Sequence, residues 1–421
     1  MDDSSSPIDA SAIDPITKKA VDRIRLLSEV SDDRDCLTRT FQSGAMRRAM
    51  IMIGSWMRDL GMEFGQDRAG TLIGRFPAAE PTGEVLLMGS HVDTVRNAGA
   101  YDGALGVIVA LAAIEDLRRQ GRKLRYNVDV IAFADEEGVR FQTTFLASSY
   151  FVGRFPKEDL ELRDADGVTL GEALGALAVE QPHAGYGDDD EMLGYLECHI
   201  EQGKELEKQG CPLGIVSGIV GQTRARVRVF GKSAHAGATN MEERRDALVG
   251  AAEFVLLCES LAKRSDGLVA TVGNVTIENP ASNTIPGEVA CTVDVRHGDD
   301  ARREEFCQTL EQTAREKLEQ RGLGFELVTV SQSPAATCST KLNDVLSEVI
   351  KTKQDDCPVI ESLSGHDAVS MAQVMDASMI FVRCRDGLSH HPDEFVSQPD
   401  IAAAIAAVTD FLIRMDESDA N

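Results

Sequence analysis

The sequence has few positive charges and no apolar run long enough to cross a membrane. Its 43 lysine and arginine residues stand against 69 aspartate and glutamate residues, and the formal net charge is −26. Nucleic-acid binding relies on clustered lysine and arginine, so this balance argues against a nucleic-acid partner. The missing apolar run argues against a membrane partner. The acidity is more typical of a well-solvated surface than of an acidic recognition surface.

Disulfide and zinc-ribbon patterns are missing too. The nine cysteines are odd in number, widely spread, and contain no CxxC pair. This usage predicts reduced thiols and a cytoplasmic location, with an organellar one left open. The start of the chain, MDDSSSPIDA, is acidic and polar, without the basic and apolar regions of a secretory signal, and it is interpreted as a loose leader.

The sequence does contain a regular alternation of strand and helix patterns. Glu84–Met88 and Asn127–Ala134 are almost continuously apolar, as strands covered on both faces are. Between them, apolar residues recur at helical spacing from Leu105 to Ile114. This order predicts an α/β domain with a mixed, largely parallel sheet flanked by helices. A chain of 421 residues exceeds the usual size of a single core, so we expect two domains.

The middle of the chain has a different pattern. Ala225, Val227 and Val229 alternate with arginines, and the segment continues in the order β-α-β-β-α-β. That order is typical of a ferredoxin-like α+β unit. We therefore predict a catalytic domain formed by residues 1–216 and 334–421, interrupted by an inserted domain at 217–333.

Histidines and carboxylates gather in four polar clusters that follow predicted strands, where open α/β sheets place ligands. Imidazole and carboxylate are common ligands of Zn²⁺ and Mn²⁺, so the four clusters together predict a metal site. No HExxH, Walker, GxSxG or GxGxxG motif accompanies them. The clusters are Gly89–Thr94 with Tyr101–Gly103, Phe133–Gly138, Glu197–Gly203 and Gly387–Pro392.

Several side chains in these clusters have a specific candidate role and a plain structural alternative. His91 is a candidate ligand, with Asp93 holding its other ring nitrogen, or else a hydrogen-bonded polar residue. Asp102 can bridge two ions or cap a helix. Of Glu136 and Glu137, one can bind an ion while the other takes a proton from water, or both belong to a solvated acidic turn.

The inserted domain carries a polar set of its own. His235 lies between small residues and can reach a ligand, or else make a loop hydrogen bond. Arg296 can hold a carboxylate with two parallel hydrogen bonds, or else form a surface ion pair. Asn283 precedes the turn Thr284–Gly287.

These residues lie in segments that together resemble a known family. GSHVDT, YDGALG, DEEGVRF, HIEQG, GKSAHAG, NTIPGEV, DVRH and GLSH follow one another between about Ile53 and Leu412. The set resembles the metal-dependent amidohydrolases of the M20 aminoacylase/carboxypeptidase superfamily. HIEQG with DEEGVRF is specific to the branch of allantoate amidohydrolases, N-carbamoyl-L-amino acid hydrolases and β-ureidopropionase-type enzymes. Ile131–Ala147, Gly221–Arg224 and Phe381–Ser389 are most similar to allantoate amidohydrolases.

The resemblance implies a role for each matching residue. His91, Asp102 and His199 would hold one divalent ion, and Asp102, Glu137 and His390 the other. Glu136 would be the general base, with Asp93 and His235 assisting catalysis. Substrate contacts would come from Gln202, His235, Asn283 and Arg296. The inserted domain would be a lid and would form a homodimer, across which His235 reaches the neighbouring active site.

The resemblance also implies a reaction. Two ions, Mn²⁺ by preference over Zn²⁺, Co²⁺ and Ni²⁺, would support hydrolysis of allantoate, a small ureido compound bearing a carboxylate, to ureidoglycine, ammonia and carbon dioxide. The alternatives are an N-carbamoyl-L-amino acid hydrolase or β-ureidopropionase-type enzyme, then an M20 peptidase or aminoacylase, and lastly a non-catalytic binding protein. Two segments depart from the family pattern near the expected substrate contacts: Ala238–Met241 and Ser362–Ala368.

Overall fold

The computed structural model describes residues 14–175, 186 and 190–418, so the predicted leader lies outside the described residues. The α-helices are α1 (Pro15–Ser28), α2 (Gly44–Asp59), α3 (Ala104–Arg119), α4 (Leu146–Phe151), α5 (Leu170–Leu174), α6 (Glu205–Gln209), α7 (Ala247–Ala262), α8 (Asp300–Gln320), α9 (Thr340–Lys351), α10 (Ala368–Met371) and α11 (Gln398–Ser418). The strands are β1 (Glu63–Gln66), β2 (Leu72–Phe76), β3 (Glu84–His91), β4 (Asn127–Phe133), β5 (Glu191–Ile200), β6 (Leu213–Ile219), β7 (Gly221–Phe230), β8 (Ala234–His235), β9 (Val269–Ile277), β10 (Thr284–Ile285), β11 (Glu288–His297), β12 (Gly324–Ser333), β13 (Ala336–Thr337), β14 (Val359–Ser362) and β15 (Ala377–Val382). Short 3₁₀ helices lie at Lys157–Glu161, Met241–Glu243 and Arg385–Gly387.

The chain divides into two compact units. The first contains Met1–Ser217, Thr337–Ile360 and His366–Asn421, and the second contains Gly218–Ala336 with Glu361–Gly365. The sequence patterns did not predict that Glu361–Gly365 belongs to the second unit.

The first unit is built on a mixed sheet with a parallel centre. β4, β3, β5 and β15 are neighbours in this order, and each pairs with the next in parallel. β2 and β6 pair antiparallel at the two sides of this centre. Every residue of β4 and β15 is buried, which explains their uninterrupted apolar sequences. The predicted α/β fold with a largely parallel sheet is confirmed.

Helices cover this sheet. α3 is almost entirely buried and packs against β3, while α1 and α11 pack on α3 in turn. Since α3 is apolar around most of its circumference, it lies in the interior of the unit rather than on its surface. The residues that precede α3 are consequently held against the ends of the central strands.

The carboxyl ends of the four parallel strands meet at one edge of the sheet. In the register of the ladders, His91 pairs with Phe133 across β3 and β4, and His199 pairs with Phe381 across β5 and β15. The predicted polar clusters therefore follow four adjacent strands, and their side chains come from separate parts of the sequence to the same edge.

The second unit has the predicted ferredoxin-like organisation. Its antiparallel sheet has the order β12-β7-β11-β9, and α7 and α8 pack against it. Ala225, Val227 and Val229 are buried in its core, as their alternation predicted. Phe254 of α7 and Leu310 of α8 complete the same core.

Two general expectations also concern the whole chain. Within residues 14–175, 186 and 190–418, no helix combines the length and the apolar character that a membrane crossing needs. All nine cysteines carry free thiols, and six of them are buried.

Candidate metal centre

Each of the four central strands delivers a side chain to one cluster. His91 ends β3, His199 lies in β5, and Glu136 and Glu137 follow β4 by three and four residues. His390 lies in the loop after β15. Asp102 comes from the turn just before α3 and is 5% exposed. The structure thus brings together all the residues that were predicted to bind metal.

Asp102 lies at the centre of this cluster and faces two sides. Its Oδ1 atom is 3.6 Å from His91 Nε2 and 3.1 Å from His199 Nε2. Its Oδ2 atom is 3.2 Å from His390 Nε2. The helix N-cap position belongs to Gly103, so the capping alternative for Asp102 is wrong.

Glu137 and Glu136 complete the two sides. Glu137 Oε1 lies 3.2 Å from His390 Nε2, opposite Asp102. Glu136 is 7% exposed. One of its carboxylate oxygens and one ligand atom from each of His91 and Glu137 all lie within 4.8 Å of one another. The solvated-turn alternative does not describe Glu136, because this carboxylate is directed into the protein.

Backbone conformation keeps the ligands close. Gly103 has φ +64°, and a Cβ atom at this position would lie 2.4–2.5 Å from the His91 ring, so only glycine fits. His390 has φ +57°, a left-handed conformation that is uncommon for a side-chain-bearing residue and tends to occur at functional sites.

Asp93 lies beside the second ring nitrogen of His91, but the hydrogen bond there involves its backbone oxygen rather than the carboxylate that was predicted to hold this nitrogen. His91 Nδ1 lies 3.1 Å from the Asp93 backbone oxygen and 3.5 Å from its Oδ1 atom. The same carboxylate accepts hydrogen bonds from the backbone N–H groups of Glu136 at 2.9 Å and Glu137 at 3.1 Å. Asp93 therefore connects the residues that follow β3 with those that follow β4.

The electrostatics of the cluster reflect burial and close opposite charges. Burial alone would raise the pKa of Asp102, but contacts with His199, His390 and His91 hold it well below its ordinary value. The hydrogen bonds to Asp102 and Glu137 raise the pKa of His390 to about 10. Burial raises the pKa of Glu136 well above its ordinary value, against the opposing effect of His91.

The donor set fits a pair of divalent ions. His91 Nε2 and His199 Nε2 face each other at 3.5 Å beside Asp102, an arrangement in which one ion can replace the protons between them. Two groups that share Asp102 each have their ligand atoms within 4.8 Å of one another: His91, Asp102 and His199 form one group, and Asp102, Glu137 and His390 form the other. Mixed imidazole and carboxylate sets suit Mn²⁺ and Zn²⁺.

Gln202 borders the same cluster. Its Nε2 atom donates to Asp102 Oδ2 at 3.1 Å and to Ser389 Oγ at 3.1 Å. Its Oε1 atom is buried and has no hydrogen-bond partner among the residues that the structure describes. An acceptor of this kind is available to an N–H group of a bound molecule.

His235 and Asn283 belong to the second unit and are neighbours there. β8 and β10 pair so that His235 lies opposite Thr284, and the Ala236 N–H donates to the Asn283 carbonyl at 2.9 Å. His235 Nδ1 accepts the Gly237 N–H at 3.1 Å, which is the loop hydrogen bond named as the alternative. The side chains of His235 and Asn283 are exposed.

Arg296, also in the second unit, makes three hydrogen bonds within that unit. Its Nε and Nη2 atoms donate to the two oxygens of Asp294, at 2.9 and 3.2 Å. Its Nη1 atom donates to the Leu363 carbonyl at 2.7 Å, in one of the two segments that depart from the family pattern. The ion-pair alternative is therefore realised, and it also gives the guanidinium a fixed orientation.

The sequence reasoning did not identify several buried polar residues that support the cluster. Glu197 accepts hydrogen bonds from Ser90 Oγ and the Ala368 N–H, both at 2.9 Å. The His366 ring packs edge-on against His199 at 4.4 Å. Glu394 contacts the Asp102 turn. Glu197 lies two residues before His199 in the same segment, and that spacing was a usable signal. His366 lies in Ser362–Ala368, far from His199 in the sequence, so only the fold brings the two rings together. Glu394 had no signal beyond its place four residues after His390.

Comparison with known proteins is consistent with this geometry. The model of peptidase family M20/M25/M40 matches residues 87–414. The chain belongs to this family. The resemblance inferred from the motifs is confirmed, and so is the prediction of a hydrolase.

Relatives within the family include enzymes of the predicted branch. Allantoate deiminase of Arabidopsis thaliana is 38% identical, with 94% of this chain and 81% of the relative aligned. N-carbamoyl-L-amino-acid amidohydrolase of a Pseudomonas strain is 33% identical over 93% of this chain and 96% of the relative. The crystal structure of a hydantoinase/carbamoylase family amidase from Burkholderia multivorans superposes with a TM-score of 0.84 at 29% identity, covering 95% of this chain and 98% of that one.

Proposed function

We propose that the protein is a two-metal amidohydrolase that cleaves the ureido C–N bond of allantoate to give ureidoglycine, ammonia and carbon dioxide. One observation carries the proposal: the two oxygens of Asp102 face different histidine groups, His91 with His199 on one side and His390 on the other. A carboxylate placed in this way can bridge two ions. Bound there, two divalent ions would activate water and polarise the substrate carbonyl.

Two groups of side chains in this chain would each hold one ion. His91, His199 and Asp102 would hold one ion, and Asp102, Glu137 and His390 the other. Family resemblance favours Mn²⁺, while the donor set also admits Zn²⁺, Co²⁺ and Ni²⁺. The half-exposed side chain of His390 would leave this side of the site open to substrate.

Glu136 would be the general base. Its carboxylate is buried beside the ligand groups, and its backbone is held by Asp93. Burial raises its pKa well above the ordinary value of a glutamate, which makes the carboxylate more basic than an exposed one. Glu136 would take a proton from the attacking water and return it to the leaving nitrogen.

Substrate contacts would come from both units. The buried Oε1 atom of Gln202 would accept an N–H of the ureido group. Arg296, oriented by Asp294, and Asn283 would bind the carboxylate, and His235 would stabilise the negative charge on the carbonyl oxygen. The second unit would then act as a lid and as the dimerisation domain, with His235 serving the active site of the partner subunit.

Allantoate is preferred as substrate because the relatives with the higher identity, 38% against 33%, are allantoate deiminases. The nearest alternative is an N-carbamoyl-L-amino acid hydrolase, which uses the same chemistry on another side chain. Protein loaded with Mn²⁺ should release ammonia from allantoate at a kcat/KM well above that for N-carbamoyl-L-amino acids and β-ureidopropionate. The reverse ranking would transfer the assignment to the alternative.

The same assay tests the remaining alternatives. A peptidase or aminoacylase would hydrolyse dipeptides or N-acyl amino acids and leave allantoate intact. A non-catalytic binding protein would show no activity that chelation removes and Mn²⁺ restores. Two equivalents of metal per chain, with activity lost to chelator and regained on reloading, are the expected results.

A further inference from the structure

Glu394 is a buried carboxylate that no predicted role includes. It lies four residues after His390 and is 4% exposed. Charged residues are seldom buried to this extent unless their oxygens are hydrogen-bonded, so its partners indicate what it does.

One oxygen of Glu394 holds the turn that carries Asp102. Oε1 accepts the backbone N–H of Tyr101 at 2.7 Å and that of Asp102 at 3.0 Å. Both N–H groups precede the first turn of α3, and both donate to this one oxygen atom. The position of the Asp102 backbone is therefore set from the loop that carries His390.

The other oxygen reaches Asp102 through a hydroxyl group. Ser389 Oγ lies 3.2 Å from Glu394 Oε2 and 2.6 Å from Asp102 Oδ2. Gln202 Nε2 donates to both Ser389 Oγ and Asp102 Oδ2. The rotation of the Asp102 carboxylate is consequently restricted by a network that ends at Glu394.

Packing indicates that the side chain of Glu394 has little freedom. A Cβ atom at Gly99 would lie 2.3–2.5 Å from the Cβ, Cδ and Oε1 atoms of Glu394. The turn before α3 thus leaves space for the carboxylate only because residue 99 has no side chain.

We propose that Glu394 is a positioning residue for the metal pair: it fixes the Asp102 turn and the His390 loop relative to each other, so that each oxygen of Asp102 is presented to a different ion. The inference rests on the proposed two-metal function. It assigns to Glu394 no contact with metal or substrate, and its effect is expected in metal affinity and turnover rather than in substrate binding.

Four variants test this role. Glu394→Ala removes both sets of hydrogen bonds. Glu394→Gln keeps an oxygen for the two backbone N–H groups. Gly99→Ala displaces the Glu394 side chain without removing its carboxylate. Asp393→Ala is the matched control, because the neighbouring carboxylate is 78% exposed and contacts only His391 among the ionisable side chains of the described residues.

The readouts are Mn²⁺ content and affinity, the electron paramagnetic resonance signal of the coupled Mn²⁺ pair, melting temperature, and kcat and KM for ammonia release. Glu394→Ala and Gly99→Ala should weaken Mn²⁺ binding or kcat roughly 10- to 100-fold and alter the signal of the pair, with KM changed less than about threefold. Glu394→Gln should recover to within about threefold of the wild type, and Asp393→Ala should match the wild type.

Wild-type Mn²⁺ affinity, coupling signal and kcat in folded Glu394→Ala would overturn the proposal. It would also be overturned if Glu394→Gln were as impaired as Glu394→Ala, because the charge rather than the hydrogen-bond geometry would then matter. If Glu394→Ala does not fold, Gly99→Ala and Ser389→Ala decide by the same readouts. A wild-type protein that binds two Mn²⁺ ions but hydrolyses no ureido compound would refute the proposed function while leaving the metal-binding test intact.

Discussion

The candidate site residues form two polar sets, one in each unit, and the charges and hydrogen-bonding groups of the two sets find their partners in different ways. In the first unit, His91, Asp102 and His199 are at most 5% exposed and direct their ligand atoms at one another. In the second unit, His235 and Asn283 are exposed, and Arg296 is hydrogen-bonded to Asp294 and Leu363. The first set is assembled from distant parts of the chain, whereas the second is supported by its own strands and turns.

This difference indicates where a ligand is needed for stability. Several ionisable groups buried together carry a large desolvation penalty unless opposite charges compensate it. The first set needs protons or cations for that compensation, and two divalent ions fit its geometry. The second set is already compensated by local contacts, so a role in substrate binding adds nothing to the stability of its unit. Substitutions in the first set should therefore change metal binding or turnover, and substitutions in the second set should change substrate affinity.

The largest expected effect separates chemistry from metal binding within the first set. Glu136→Gln should lower kcat roughly 10²- to 10⁴-fold, because the amide cannot accept the proton of water. Metal content should stay at the wild-type value, because Glu136 is proposed as the base and not as a ligand, although its carboxylate lies close to ligand atoms of His91 and Glu137. Ammonia release and elemental analysis check this together. Wild-type turnover would remove Glu136 as the base, and loss of metal would make it a ligand.

A steric change should disturb the ligand cluster without removing any ligand. Gly103→Ala places a Cβ atom 2.4–2.5 Å from the His91 ring, so Mn²⁺ affinity should fall roughly 10- to 100-fold. Gly121→Ala is the matched control, because Gly121 has a similar positive φ of +67° but, in the described part of the chain, no neighbouring atom within 4 Å of its Cβ position. Equal effects of the two variants on Mn²⁺ affinity would mean that backbone strain, not the displacement of His91, is responsible.

The second set should respond through substrate affinity. Arg296→Ala is expected to raise KM for allantoate roughly 10- to 100-fold, which is the usual contribution of a charge-assisted pair to binding. Metal content should not change. Arg226→Ala, at an exposed position of β7 in the same sheet, is the control and should leave KM as it is. An unchanged KM in Arg296→Ala would exclude the carboxylate contact.

The smallest effect is a pH dependence of metal affinity. Hydrogen bonds to Asp102 and Glu137 raise the pKa of His390 to about 10 in the metal-free protein, so an ion must displace a proton at neutral pH. Mn²⁺ affinity should rise with pH through the neutral range, by about tenfold per pH unit for each proton displaced. Calorimetry in buffers of different ionisation enthalpy measures the protons released. Binding without proton release would show that the imidazoles are neutral beforehand.

Much of the fold followed from local patterns. Continuous apolar runs predicted the buried strands β3 and β4, and the alternation at Ala225, Val227 and Val229 predicted a strand covered on one face. Both patterns arise from burial: a strand covered on both faces needs apolar side chains at nearly every position, whereas a strand covered on one face needs them only at alternate positions. Residues 361–365 could not be assigned to the second unit, because chain order places them among the elements of the first.

The sequence by itself determined the inventory of the candidate site: histidines and carboxylates at the ends of strands, in motifs whose order resembles one family. Those features depend on residue type and spacing, which a sequence displays. Only the tertiary structure decided that Asp102 turns its two oxygens toward different histidines, and that Glu394 holds the Asp102 turn from a distant loop. These contacts join residues that are about 100 to almost 300 positions apart, and their distances depend on how strands pair and helices pack.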